Sequence, residues 1–159
     1  MTELDALFSR LEIDDLLTRY ATAIDSRDWD LLDEVFAPDA ELDYRAACGI
    51  AGTYPEIKAW FAEVLPSLFE ATQHFVVNRD VRIDGDTAAA RSMFFNPNRM
   101  RVDGELRHFM CGGYYHDRLE RRPEGWRIVR RVEDTTWWID RPPGLPPVPP
   151  GVPADVPLH

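Results

Sequence analysis

Thr72-Gln73-His74-Phe75-Val76-Val77-Asn78 is a β-branched, aromatic run with a histidine near its start, and it follows a predicted helix. Such a composition favours a strand. Period-2 alternation puts Gln73, Phe75 and Val77 on one face and Thr72, His74, Val76 and Asn78 on the other. His74 therefore shares a face with an apolar valine and looks into a core or a pocket. A histidine there is either satisfied by one hydrogen bond or poised as a base. The second role needs a partner elsewhere in the chain.

Upstream, apolar residues recur at helical spacing from Leu4 to Ile24 (Leu4, Leu7, Leu11, Ile13, Leu17, Tyr20, Ile24), with Glu12, Asp15 and Arg19 opposite. The pattern predicts an amphipathic helix of several turns. Asp25 follows Ile24 and, at about 100° per residue, falls beside Ala21 at the margin of the apolar stripe. It is either a solvated carboxylate in the turn Asp25-Ser26-Arg27-Asp28 or the partner that His74 requires. Asp28 can cap a second short helix, Trp29 to Phe36, closed before Pro38. Ala40 to Arg45 alternates as a half-buried strand with Leu42 and Tyr44 inward. A third helix is expected from Tyr54 to Phe69, kinked near its end by Pro66.

Downstream of His74, the pattern predicts a hairpin at Asp84-Gly85 and a strand from Ala88 to Phe95. Asn96-Pro97-Asn98 is expected to interrupt it. A second hairpin turn lies at Val102-Asp103-Gly104-Glu105. A long strand follows from Leu106 to Arg118, with a bulge or close approach at Gly112-Gly113. The last strand, Gly125 to Val132, runs on toward Trp137-Trp138. Helices followed by a curled antiparallel sheet give an α+β class. Residues 1–140 form one domain. Residues 141–159, rich in proline, form an extension that can be neither helix nor inner strand.

A chain of 159 residues with 45% hydrophobic and 11% aromatic residues is long and apolar enough for one domain with a core. Its net charge of −10 argues against nucleic acid and against an anionic membrane surface as partners. Cys48 and Cys111 have no metal-ligand spacing, so neither a disulfide framework nor a metal site is expected. The default location is cytoplasmic.

With these elements placed, the chain resembles the SnoaL-like group of the nuclear transport factor 2-like (NTF2-like) superfamily over about residues 4 to 140. Ile24-Asp25-Ser26-Arg27-Asp28-Trp29-Asp30, Asp43-Tyr44-Arg45 and Thr72-Gln73-His74-Phe75 are similar to scytalone dehydratase and related dehydratases. The resemblance implies a cone, three N-terminal helices closing on a curled antiparallel sheet around a pocket. It also implies a pairing of Asp25 with His74, and a pocket place for Tyr44. Two positions depart from the dehydratase pattern: Ile24 stands where a tyrosine precedes the aspartate, with Tyr20 one turn earlier, and Pro97-Asn98 offers an amide where a second histidine follows proline.

These residues fit elimination next to a carbonyl, which needs a base, a donor for the developing enolate and a proton source for the leaving group. His74 held by Asp25 is the candidate base, and Tyr44 the candidate donor. Tyr20, Asn98, Tyr114, Phe94 and Trp138 are candidate substrate-binding residues. Arg127, Arg130 and Arg131 read as solvated or paired with the many acids. The expected function is a cofactor-free lyase of dehydratase type acting on a hydrophobic cyclic or polyketide-like molecule. An isomerase or cyclase using the same pair, and a non-catalytic scaffold like the small subunit of ring-hydroxylating dioxygenases, are the alternatives. A homo-oligomer, trimer or dimer, is expected.

Overall fold

Helix α1 (Glu3–Ser26) starts where Thr2 and Asp5 cap each other: the Asp5 N–H donates to Thr2 Oγ1 at 3.1 Å and the Thr2 N–H to Asp5 Oδ2 at 2.9 Å. This capping box satisfies amide donors that a helix start leaves open. The computed structural model describes residues 2–143. The helix stops at Arg27, which takes the left-handed region at φ 58° and returns its N–H to Ala23 O and Ile24 O. Asp25 is thus fixed in the last turn. From Ile13 onward the apolar stripe packs as the spacing predicts, with Ile13, Leu16, Leu17, Tyr20, Ala23 and Ile24 buried. The first turns do not: Leu4, Leu7, Phe8 and Leu11 are all more than half exposed. There Ser9 turns to the sheet instead, its hydroxyl accepting from Arg121 Nη2.

The expected second helix is a five-residue 3-10 turn, Asp30–Glu34, so the described residues hold two α-helices where three were expected. Asp28 caps it, accepting from the Leu31 N–H at 3.2 Å. It cannot lengthen, because strand β1 (Phe36–Asp43) begins at once. Pro38 lies inside that strand, in the irregular stretch between its pairings at Phe36 and Glu41, where a missing N–H breaks no ladder bond. After the short strand β2 (Ala51–Thr53), helix α2 (Tyr54–Leu68) opens on a second capping box, Thr53 with Glu56.

The remaining strands are β3 (Ala71–Thr72), β4 (Phe75–Asp84), β5 (Thr87–Val102), β6 (Glu105–Arg122) and β7 (Gly125–Ile139). The sheet runs β2-β1-β7-β6-β5-β3, and β4 pairs with β5 beyond β3. It is mixed rather than wholly antiparallel: β1 pairs with β7 in parallel. Hairpins tie β4 through β7 into antiparallel neighbours, but none ties β1 to β7. Strand β5 passes through Asn96-Pro97-Asn98 without interruption. In an antiparallel ladder the N–H and C=O of one residue point the same way. Pro97 O accepts from the Gln73 N–H at 3.2 Å, so the donor that Pro97 lacks is missing toward β3 and β4. That is where the outer strand breaks, between Thr72 and Phe75, releasing His74 from the ladder.

Two bulges set which face of β7 looks inward. Leu119 pairs with Ile128 but Arg118 with Arg130, and Gly113 pairs with Thr135 but Gly112 with Trp137. Val129 and Thr136 are the extra residues, and each reverses the side-chain alternation. Trp126 and Ile128 face the core before the first bulge; Arg131, Glu133 and Thr135 are buried between the two; Trp138 lines the interior after the second. Arg131 is fully buried, bound by Asp117 on β6 through Nε at 2.7 Å and Nη2 at 2.8 Å. Of the Pro-rich extension, residues 144–159 lie outside the described residues. Among the described residues, no helix is long and apolar enough to cross a membrane.

Removing one partner of a buried ion pair strands the other charge. Asp117→Ala is expected to lower the unfolding free energy by about 3–5 kcal/mol, whereas Asp117→Leu combined with Arg131→Met loses much less. Urea unfolding of the three proteins measures this.

Candidate active site

Asp25 holds His74 by two atoms. The His74 N–H donates to Asp25 Oδ2 at 2.9 Å, and ring Nδ1 lies 2.7 Å from Oδ1. Thr72 Oγ1 adds a donor to Oδ1 at 3.3 Å. The carboxylate only accepts, so in the neutral ring the proton belongs on Nδ1 and the lone pair on Nε2. Backbone and ring are fixed by one carboxylate, because α1 ends beside the break between β3 and β4. The pair sits at the rim, with the His74 side chain 12% exposed and that of Asp25 27%.

His74 lines a cavity of about 110 Å³. Tyr20 and Ile24 of α1 and Trp60, Phe61 and Leu65 of α2 form one side. Asn96 and Asn98 of β5, Phe109, Cys111 and Tyr115 of β6, and Glu133 and Trp138 of β7 form the other. Tyr44, just after β1, closes the interior. The walls are mostly apolar, with a few buried polar groups among them: the Tyr44 hydroxyl, the Asn96 amide and Trp138 Nε1, the last without a hydrogen-bond partner among the described residues. An orphaned polar atom in a native interior calls for an explanation, and a ligand oxygen or hydroxyl in the cavity would meet it.

Beneath this surface lies a charged layer. The Arg131 guanidinium carbon sits 4.1 Å from the Tyr20 ring centre and 4.4 Å from that of Tyr115. Burial works against its charge, but Asp117 and the tyrosines more than offset this, so its pKa is raised. Burial lifts the Tyr20, Tyr44 and Tyr115 hydroxyls well above the usual tyrosine range, which keeps them neutral donors. Glu133, only 5% exposed, is pushed up to about 8: burial outweighs the pull of Arg131 and of Thr135, and Asp134 and Asp43 add to the rise.

Of the residues singled out from sequence, Asp25 and His74 are brought together, and Tyr20, Tyr44, Asn98 and Trp138 line the same cavity. Two are not in it. Tyr114 points to the other face of the sheet, beneath Arg91 at 3.6 Å, because β6 keeps its alternation through Gly112-Gly113 and the bulge falls on β7. Phe94 is core, stacked on Tyr115 at 4.7 Å between ring centres. Tyr115, Asn96 and Glu133 line the cavity without having been singled out, and Arg131, read as solvated or paired with an acid, is paired with Asp117 and buried. The available signal was Asp117 on the neighbouring strand, opposite Arg131. Among the described residues no three His, Cys, Asp or Glu side chains group to hold a metal ion.

The sequence pattern of the SnoaL-like domain matches residues 5–132. The chain belongs to the SnoaL-like domain family. An uncharacterized protein of Mycobacterium tuberculosis is 48% identical over 133 residues, 84% of this chain and 89% of the relative. Among solved structures, a type 2 hexachlorocyclohexane dehydrochlorinase matches with a TM-score of 0.79 at 22% identity, over 95% of this chain and 100% of that one. A candidate scytalone dehydratase of Novosphingobium aromaticivorans gives 0.76 at 22%, over 88% and 91%. A candidate aromatic ring hydroxylase of the same species gives 0.73 at 28%, over 82% and 91%. The shared fold is that of the NTF2-like superfamily.

The native protein holds a proton on Glu133 that the unfolded chain, with an ordinary glutamate near 4.5, releases. Its contribution to stability therefore falls as pH rises from about 4.5 to about 8, and is flat above. Glu133→Gln is expected to remove this part of the decline, so that its stability relative to the native protein improves steadily across that window. Urea midpoints measured at intervals through the window check it.

Proposed function

We propose that this protein is a cofactor-free lyase of dehydratase type that removes water from a hydrophobic, cyclic hydroxy-carbonyl compound. The observation that carries the reading is the Asp25–His74 pair, set at the rim of a mostly apolar cavity with Nδ1 committed to Asp25 and Nε2 left as the base. His74 takes the proton α to the carbonyl, and Asp25 stabilises the imidazolium that forms. The Tyr44 hydroxyl, buried in the cavity wall and kept neutral, donates to the carbonyl oxygen as negative charge develops there. The mostly apolar walls suit a hydrophobic ring, with the few polar groups left to orient it. Isomerisation or cyclisation would share the first proton transfer. The likeness to a candidate aromatic ring hydroxylase keeps a non-catalytic scaffold as the rival reading, but a scaffold has no use for a carboxylate-held histidine at the rim of an apolar cavity.

The test is loss of water from cyclic β-hydroxy ketones, followed by enone absorbance. His74→Ala should lower kcat by about 10²–10⁴-fold, and Asp25→Asn by a loss within the same range. Nitrogen-15 NMR should find His74 protonated at Nδ1 in the native protein and no longer so confined in Asp25→Asn. A His74→Ala protein as active as the native one would sink the reading.

We also infer a homo-oligomer. Leu4, Leu7, Phe8 and Leu11 along α1, and Phe75, Val77, Trp137 and Ile139 on the sheet, are apolar and at least 40% exposed. A second copy would cover such surface. Light scattering should give a mass of two or three chains, and the mass of one chain would refute it.

A further inference from the structure

An elimination of water leaves one role unfilled by Asp25, His74 and Tyr44, namely the acid that protonates the departing oxygen. We propose that Glu133 is that acid, its carboxyl giving a proton to the hydroxyl that leaves while His74 takes one from carbon. The inference rests on the elimination reading above and adds a second proton-transfer group to it.

Three observations support the assignment. Glu133 lines the cavity that His74 lines. The two reach it from far apart in the sheet: His74 follows β3 at one end of the strand order, and Glu133 is on β7, three strands along. At about 4.8 Å per strand the two strands are roughly 14 Å apart along the sheet, and its curl turns them toward a common space. The α-proton and the leaving group of one ring would thus meet different walls.

The second observation is a count of charge. The buried layer holds one cation, Arg131, and two carboxyls, Asp117 and Glu133. Asp117 takes the guanidinium through two hydrogen bonds. Glu133 receives only a long one, from Thr135 Oγ1 at 3.4 Å. A carboxylate buried without a cation is costly, and the group keeps its proton instead. The third is what faces it. From its own strand these are Arg131 and Asp134; from β6, Tyr115 and Cys111; from β1, Asp43; and from α1, Tyr20. Arg131 is the one cation of the set, and it gives two hydrogen bonds to Asp117.

The step balances. Nε2 of His74 accepts the α-proton, and the C–H electron pair becomes the new C=C bond. The C–O pair leaves with the oxygen, which takes the proton of Glu133 and departs as water. Imidazolium and carboxylate remain, and one proton passed from His74 to Glu133 through water restores both. The substrate class narrows to compounds with a poor, protonation-dependent leaving group β to a carbonyl.

The test compares full-length native protein with Glu133→Gln on a cyclic β-hydroxy ketone and on its β-acetoxy analogue, whose leaving group needs no proton. The variant should lose about 10²-fold or more in kcat on the hydroxy compound, with KM little changed, and less than about 10-fold on the acetoxy one. Native turnover of the hydroxy compound should decline above about pH 8 as Glu133 ionises, a limb that the variant lacks. Equal losses on both substrates would overturn the acid role. Infrared difference spectra of native against variant test it without turnover: a protonated carboxyl band at neutral pH, bleaching near pH 8, is expected. Its absence overturns the assignment to Glu133 and leaves the His74 reading standing. With the band present, failure of the native protein to turn over either substrate sinks the elimination reading, and the acid role with it.

Discussion

The buried pairing of Arg131 with Asp117 is what the rest of the interior is arranged around. A guanidinium with no exposure is tolerated only with a hydrogen-bonded counter-charge, and Asp117 supplies it from the adjacent strand. The flat faces of the ion then meet aromatic rings, Tyr20 from α1 and Tyr115 from β6, with Phe36 of β1 at 5.5 Å. One side chain therefore ties the long helix to three strands. Tyr20 also stands edge-on to His74, with ring centres 6.2 Å apart, so the packing that satisfies the cation sets the wall beside the base.

That arrangement exists because β7 is bulged twice. A strand of regular alternation carrying Trp126 and Ile128 inward would have put Arg131, Glu133 and Thr135 in solvent. The extra residue at Val129 turns them in, and the extra residue at Thr136 turns the alternation back so that Trp138 can close the cavity. Glycine is required opposite the second bulge. A side-chain carbon on Gly113 would lie 1.9 Å from Asp134 O, and one on Gly112 would lie 2.3 Å from the Trp137 ring. The glycine pair does mark an irregularity, as its sequence implied, but the inserted residue belongs to the partner strand.

This explains which parts of the site could be read in advance. Asp25 and His74 were legible because each sits in a local signal: a carboxylate in the last turn of an amphipathic helix, and a base before a β-branched run. Tyr44, Tyr20, Asn98 and Trp138 were within reach of alternation and resemblance. Tyr114 and Phe94 were misplaced by the face assigned to their strands, since alternation alone does not say which face is inward. The burial of Arg131 and Glu133 is hidden in Arg130-Arg131-Val132-Glu133-Asp134, where every residue but valine reads as solvated or ion-paired. Only the register against Asp117 distinguishes the buried members of that run. The α+β class came through intact because it needs only the order of elements. The parallel pairing of β1 with β7 did not, because it is a contact between segments that no turn connects.

The two proton-transfer groups proposed here differ most in their access to water. His74 and Asp25 sit at the rim, so an imidazolium formed there can return its proton to solvent. Glu133 is almost wholly enclosed, and its ionised form is disfavoured by the same burial that keeps it protonated at rest. After the leaving group has taken its proton, the carboxylate is a high-energy state. It relaxes by recovering, relayed through water, the proton that His74 took from carbon. A buried acid and a base at the rim thus make resetting of the site depend on a water path between them, and favour substrates whose leaving group brings an oxygen to the Glu133 wall.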